Sequence, residues 1–569
     1  MTGQRKNTLW VRATRPQKLA KPYLFATSSM GILWRRYRRS NSKITSGRCE
    51  IAFFALEFPR ECLIRMTRRQ LLCLGFLILA LLRPRVLQSD VPGATIRIDW
   101  TKIEGISKTT ATLQVVVNPP LRRDSSIHDR AWDALRLLNA DFVRFVPWYP
   151  YPELGVAELE APAAGKTSWE FSRIDPLTVD FFQATAGHPV MLNFSTIPQW
   201  MFKTKEAVRF PADPNEVAWG YEQGTELRDP SGKEVADYYA RLVNWYTRGG
   251  FVDEVGQRHE SPHHYKIAYW EVLNEPEYEH AFSAENYTKL YDAISTSIRQ
   301  ISPDTKFVGM SLAEPMKSPA FFEYFLDHRH HQPGFPLDMI SYHFYAVPAT
   351  DQTPEIQQYT FFEQADKFLA TVGFIESIRQ RLSPDTKTDI NETGCILPDD
   401  IGTAAPGVAA KTIPNSYWNL CGATFAYLYA GLARQGIDIV GSSQLLGYPT
   451  QFPSVTMLDW NTGQPNPRYW ILKLLTDHFR PQDRLVEAKS DAPYIFAQGF
   501  LAPNGTRKLL LVNKRDRPCE LSVPGAKAGS FERVDQVTDS NPPVVSILDT
   551  DKVHLGGFSV AVLTFPSGS

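Results

Sequence analysis

Two short segments carry glutamates in settings suited to acid–base and nucleophilic chemistry. The first is WEVLNEPEYEH at 270–280, in which Trp270-Glu271-Val272-Leu273 continues a strand and Asn274-Glu275-Pro276 marks its exit. Pro276 has no N–H to give to a ladder, so pairing should stop there and leave Glu275 at the strand end. The second is DINETG at 389–394, where Glu392 again ends a strand and Gly394 is expected to let the backbone turn just past it. Cleaving a glycosidic bond needs such a pair: one acid for the leaving oxygen and one carboxylate for the anomeric carbon. Either glutamate alone could equally be a strand-end acid paired with Arg or Lys. The two together, at the ends of two strands, favour the chemical reading.

A pair so far apart in sequence must be brought to one place by the elements around it. A helix over His128–Asn139 places Trp132, Leu135 and Leu138 at helical spacing, and strand and helix patterns then alternate for more than three hundred residues. Strands are predicted at 141–148, 169–171, 189–195, 266–273, 306–310, 339–345, 386–391 and 438–446, with intervening helices that end in one over Arg468–His478. Eight strand-then-helix units predict an α/β chain whose catalytic domain, 128–480, is a (β/α)8 TIM barrel. Barrel sites form at the C-terminal ends of strands, and strands four and seven face each other across the mouth. No G-x-G-x-x-G loop follows the first predicted strand, which counts against a doubly wound open sheet. Residues 481–569 read as short alternating runs separated by turns such as Pro503-Asn504-Gly505, the pattern of an accessory all-β sandwich. The strands within 91–127 are expected to join that sandwich.

With these residues in place the chain resembles the clan of retaining glycosidases that carry their acid/base and nucleophile on barrel strands four and seven. Within it, WEVLNEP (270–276), SYHFY (341–345), NETG (391–394), NFSTIPQWMF (193–202) and NPRYWILKLL (466–475) are most similar to glycoside hydrolase family 39, which includes β-xylosidases and α-L-iduronidases. The resemblance implies a retaining glycosidase with Glu275 as acid/base and Glu392 as nucleophile. Asn274 would bond the sugar 2-hydroxyl, and His343 and Tyr345 would hold the nucleophile and line the sugar site. Trp148 and Trp200 are stacking platforms or core residues. The partner implied is an oligosaccharide or glycoside, with no metal and no organic cofactor. The clan commonly places a Trp after strand eight, but here Gln444 and Tyr448 stand there, with Trp460 in a long loop, so the sugar is not specified. A carbohydrate-binding barrel without turnover is the alternative, and it would not require both glutamates. His259, His263 and His264 lie in a polar stretch and are expected in a solvated loop.

Composition narrows the classes further. Hydrophobic residues at 43% and charged residues at 21% are those of a globular chain. Of 61 basic and 61 acidic residues, 18 basic but only three acidic ones fall within 1–89. This leaves 43 against 58 beyond, a net of −15, and disfavours nucleic acid as a partner. Arg68 and Arg69 precede the apolar run Leu71–Leu82, the form of a signal peptide over 66–90. The chain is thus expected to be secreted or periplasmic, with no membrane span after cleavage; an uncleaved anchor is the other reading. Residues 1–65 read as a mis-assigned upstream extension, with translation starting at Met66. Cys395, Cys421 and Cys519 remain in the mature portion, where Cys395 and Cys421 are a disulfide if export oxidises them and buried thiols otherwise.

Overall fold

The computed structural model describes residues 94–206, 209–221, 224–400 and 412–566; the upstream extension and the signal segment read from the sequence lie outside these. Eight parallel strands close a barrel in the order Thr110–Val116, Val143–Val146, Val190–Leu192, Tyr269–Glu271, Lys306–Leu312, Met339–Ala346, Lys387–Cys395 and Ile439–Ser442, with the eighth paired back to the first. Most of their residues are buried, as parallel strands covered by helices outside and packed inside must be. Major covering helices include His128–Leu138, Ile174–Ala184, Lys233–Arg248, Ala284–Ile301, Pro354–Leu382, Asn415–Arg434 and Pro467–His478.

The strand count differs from the sequence reading at its start. Thr110–Val116, expected to join the sandwich, is the first barrel strand, so 141–148 contributes the second. The segment 169–171 is no barrel strand: Trp169 makes one isolated bridge to Glu158 and stacks on Phe171 and Tyr238. The chain passes from Ile106 in the sheet domain to Thr110 in the barrel through three residues, too few to mark a boundary by composition.

Ala94–Ile106 does belong to the second domain. It runs antiparallel to Arg484–Ser490 and, at its first two residues, parallel to Cys519–Ser522 within a nine-stranded sheet. That sheet folds over its own core, including Ile96, Leu509, Leu511, Leu521, Phe531, Val553 and Leu563. His259 and His263 are not solvated as expected. His259 Nε2 lies 2.9 Å from Asp253 Oδ2, and the buried His263 lies 3.0 Å from Asp175 Oδ2. Among the described residues Cys395 and Cys421 are free, buried thiols, and burial beside Cys421 pushes the Cys395 thiol well up. No described helix is long and apolar enough to cross a membrane.

Three local irregularities at one end of the barrel decide which polar side chains face its interior. In strand seven the register to strand six slips by one residue between Asp389 and Glu392, a bulge that breaks the in–out alternation. Asn391 and Glu392 therefore both turn inward. Strand five slips likewise between Met310 and Leu312, where Met310 and Ser311 have φ of 84° and 47°, and this turns Ser311 inward. After strand four, Leu273 (φ 64°) and Glu275 (φ 43°) take left-handed conformations that side chains adopt rarely and at a cost.

Candidate active site

Glu275 is pinned by its backbone. Its N–H donates to Ser311 O at 3.0 Å, and Pro276 opens a one-turn helix, Pro276–Glu279, with its ring at the first helical position. The fixed left-handed turn presents the Glu275 side chain to the barrel mouth, where 19% of it stays exposed. Glu392, presented by the bulge, keeps 11%. One oxygen of each carboxylate and one nitrogen of His343 all lie within 4.8 Å of one another.

The two carboxylates have different surroundings. Glu392 Oε1 accepts from Arg144 Nη1 at 2.6 Å, and Oε2 accepts from Tyr345 Oη at 2.6 Å. Burial alone would raise its pKa; the charges of His343 and Arg144 and the Tyr345 hydrogen bond outweigh it and hold the carboxyl below its usual range. Tyr345 is pushed well above the ordinary phenol by burial and by Glu392, so it stays a donor. Its hydroxyl also lies 2.6 Å from Ser443 Oγ, which accepts from Gln114 Nε2 at 2.7 Å.

His343 Nδ1 is 3.0 Å from Glu275 Oε1, and Nε2 is 2.9 Å from Ser311 Oγ and 3.6 Å from Glu392 Oε1. Burial disfavours its cation, but Glu392 and Glu275 outweigh burial and raise its pKa above the ordinary imidazole value. The residue expected to hold the nucleophile thus bonds the other carboxylate more closely, while Tyr345 holds Glu392. Gly394 does not end its strand as expected. The strand continues to Cys395, and a Cβ at Gly394 would come within 3.2 Å of the Tyr345 ring, so the missing side chain makes room for that ring.

Asn274 is fixed at both ends of its amide. Oδ1 accepts from Arg144 Nη2 at 2.7 Å and Nδ2 donates to Glu279 Oε1 at 2.9 Å, which leaves one Nδ2 proton over. Trp148 Nε1 donates to the same Glu279 oxygen at 2.8 Å, which ties the indole to Asn274. Trp219 and Phe452 flank Trp148 with ring centroids at 5.4 and 6.3 Å. Phe452 is the aromatic that the loop after strand eight brings near, whereas Gln444 is buried and donates to Leu446 O. Trp200 is not tied to this group: its indole donates to Glu158 O, and the Arg228 guanidinium covers the ring at 4.8 Å.

Sequence reasoning missed the floor of the site. Arg144, 1% exposed, reaches Glu271, Gln114, Glu392, Asn274 and Ser311, which stand on other barrel strands or their exits. The signal was present: a lone Arg in DFVRFVPW and a lone Glu in YWEVL are charges inside apolar strands, and buried charges require partners. Glu277, two residues past Glu275, was missed as well. Burial and the Glu275 charge push it up to about 7.

Comparison with known proteins bears on the fold. Neither a protein-family model nor a curated protein sequence matches the chain. Among solved structures, a family 51 arabinofuranosidase from Xanthomonas axonopodis pv. citri is similar with a TM-score of 0.56 at 11% identity, covering 83% of this chain and 99% of its own. A glucosidase from Croceicoccus marinus is similar at 0.54 and 13%, covering 84% and 99%. A family 51 α-L-arabinofuranosidase from Bifidobacterium longum gives 0.54 and 14%, covering 83% and 99%. The fold is that of these glycosidases. It comprises a closed eight-stranded parallel barrel with a mostly β second domain.

Proposed function

We propose that the chain is a retaining O-glycoside hydrolase in which Glu392 is the nucleophile and Glu275 the acid/base. The observation that carries this reading is the close, unlike pair of carboxylates. One oxygen of each carboxylate lies within 4.8 Å of the other, close enough to be compatible with the ~5–5.5 Å carboxyl spacing of retaining enzymes; inverting enzymes space the pair ~6.5–9.5 Å apart to admit a water. Glu392, held ionised by Arg144, His343 and Tyr345, attacks the anomeric carbon. Glu275 delivers its proton to the glycosidic oxygen as that bond breaks, and the alcohol leaves. In the second step Glu275 takes a proton from water, the water oxygen attacks the anomeric carbon, and the Glu392 ester bond breaks. The spare Nδ2 proton of Asn274 bonds the sugar 2-hydroxyl, an interaction that strengthens as the oxocarbenium-like transition state forms. Trp148 lines the sugar site together with Trp219 and Phe452.

The motifs WEVLNEP, SYHFY and NETG support a place near family 39, and the Arg68-Arg69 and Leu71–Leu82 pattern supports export. Aryl β-xylosides, α-L-arabinofuranosides and β-glucosides form the first substrate panel, with the anomeric proton of the released sugar followed by NMR. Hydrolysis with retained configuration is expected. An inverted first product would exclude the mechanism, and no turnover across a broad panel would favour the carbohydrate-binding alternative.

A further inference from the structure

The buried ion pair beneath the site does more than fill the barrel. Glu271 is 0% exposed, and its carboxylate accepts four hydrogen bonds from residues on or just past four other strands. Arg144 Nε and Asn193 Nδ2 reach Oε2, each at 2.5 Å; Ser341 Oγ and Asn391 Nδ2 reach Oε1 at 2.6 and 2.7 Å. Every donor around Glu271 is thus fixed by the barrel itself. Arg144 has its Nε on Glu271 and its Nη1 on Glu392, so one planar cation is divided between two anions.

We propose that Glu271 is a positioning residue for the reaction: it locks the Arg144 guanidinium in the orientation that meets Glu392 and takes part of its charge. The nucleophile is then held in place without being over-stabilised. A carboxylate facing an undivided, fully buried cation would be a poorer nucleophile, because more of its charge is already compensated. Other charges near this pair do not take over the role. Burial and the Glu271 charge push the Asp389 carboxyl well up, and burial pushes the Tyr287 phenol well up, which disfavours a charge on either. The ionisable groups facing Glu392 are Arg144, His343, Tyr345 and Glu275, and among the described residues the ion pairs of Arg144 are those with Glu271 and Glu392.

This inference rests on the glycosidase reading, and its test separates the two. Glu271→Gln keeps the shape: its oxygen still accepts from Arg144 and Asn193, the Ser341 hydroxyl can accept from the new amide, and Asn391 can flip its unpartnered Oδ1 toward it. Only the charge is lost. The measurement is the pH profile of kcat/KM, with kcat and KM, on a glycoside whose poor leaving group makes bond cleavage limiting. The acid limb is expected to move down by about one pH unit and kcat to fall about tenfold, with KM within twofold. Arg144→Lys is the counter-experiment. One ammonium cannot span both anions and stays with Glu271, the partner of the nitrogen nearest the backbone, so the acid limb is expected to move up by a unit or more.

Opposite shifts in the two variants establish the divided cation. An unmoved acid limb in Glu271→Gln, with only lowered thermal stability, overturns the proposal and leaves Glu271 as scaffold. If circular dichroism shows that Glu271→Gln does not fold, Arg144→Lys decides alone, and an acid limb that stays or falls overturns it. Failure of the glycosidase reading would look different: the wild-type protein itself would cleave nothing.

Discussion

Replacing Tyr345 by Phe removes one atom, and the consequence can be worked from the geometry. The Tyr345 hydroxyl donates to Glu392 Oε2 at 2.6 Å in a buried site, a charge-assisted hydrogen bond worth ~1.5–3 kcal/mol. It favours only the ionised form of Glu392, so its loss should raise that pKa by ~1–2 units at ~1.4 kcal/mol per unit. Arg144 and His343 remain, so the carboxylate still ionises, but at higher pH. The nucleophile acts only when ionised, so the acid limb of kcat/KM should move up by the same ~1–2 units. Below the limb activity should fall by ~10- to 100-fold, and above it the loss should be smaller. Initial rates on an activated aryl glycoside across the pH range, with stability checked at each pH, measure this. A uniform loss at every pH with the limb unmoved would refute the reasoning, because it would mean that Tyr345 shapes the pocket without holding Glu392 ionised.

Other expectations rest on separate parts of the molecule. Glu158 is fully buried with both carboxylate oxygens unpartnered, and burial, aided by Glu254, pushes it up to about 8 from an ordinary 4.5. A raised carboxyl pKa gives stability that is complete below the unfolded value and is lost as pH rises through the folded one. About 5 kcal/mol should therefore drain away between about pH 4.5 and pH 8, and Glu158→Gln should flatten that slope in denaturant titrations at pH 5 and pH 9; equal slopes would contradict this. Glu275→Ala should still be glycosylated by activated aryl glycosides and be rescued by azide with net retention. Glu392→Ala should be poor on all glycosides, and azide rescue should give an inverted product; near wild-type activity in both variants would end the assignment. In the native host the protein should be found outside the cytoplasm beginning near residue 90, and tryptic peptides from residues 1–60 would contradict a start at Met66.

How much could be read in advance depended on whether a residue's partners lie nearby in the chain. Parallel strands buried on both faces are apolar runs, so the third to eighth strands and their helices were legible. The glutamates Glu275 and Glu392 stood out because each lies towards the end of a predicted strand, shortly before a Pro or a Gly. Thr110–Val116 was misassigned because its alternation matches that of the sheet strand three residues before it, and local pattern does not say which sheet a strand joins. The segment 169–171 imitated a strand because aromatic residues stacking in a loop share the composition of one. The floor of the site was hidden for another reason. Gln114, Arg144, Glu271, Ser311 and Glu392 stand on five different strands, and only closure of the barrel brings them together. The inward turn of Glu392 beside Asn391 depends on a bulge that no residue type announces.

The central claim is a covalent sugar on Glu392, and trapping it is the most direct test. A 2-deoxy-2-fluoro glycoside of the best substrate, carrying a good leaving group, slows both steps by disfavouring the cationic transition state. The leaving group restores the first step, so the glycosyl-enzyme accumulates. Proteolysis and mass spectrometry should find one added fluorosugar on the peptide containing Asn391-Glu392-Thr393, with Glu392 as the modified residue, and its loss should parallel recovery of activity. A substrate that is cleaved while Glu392 stays unmodified, or a label on any other carboxylate, would contradict the account.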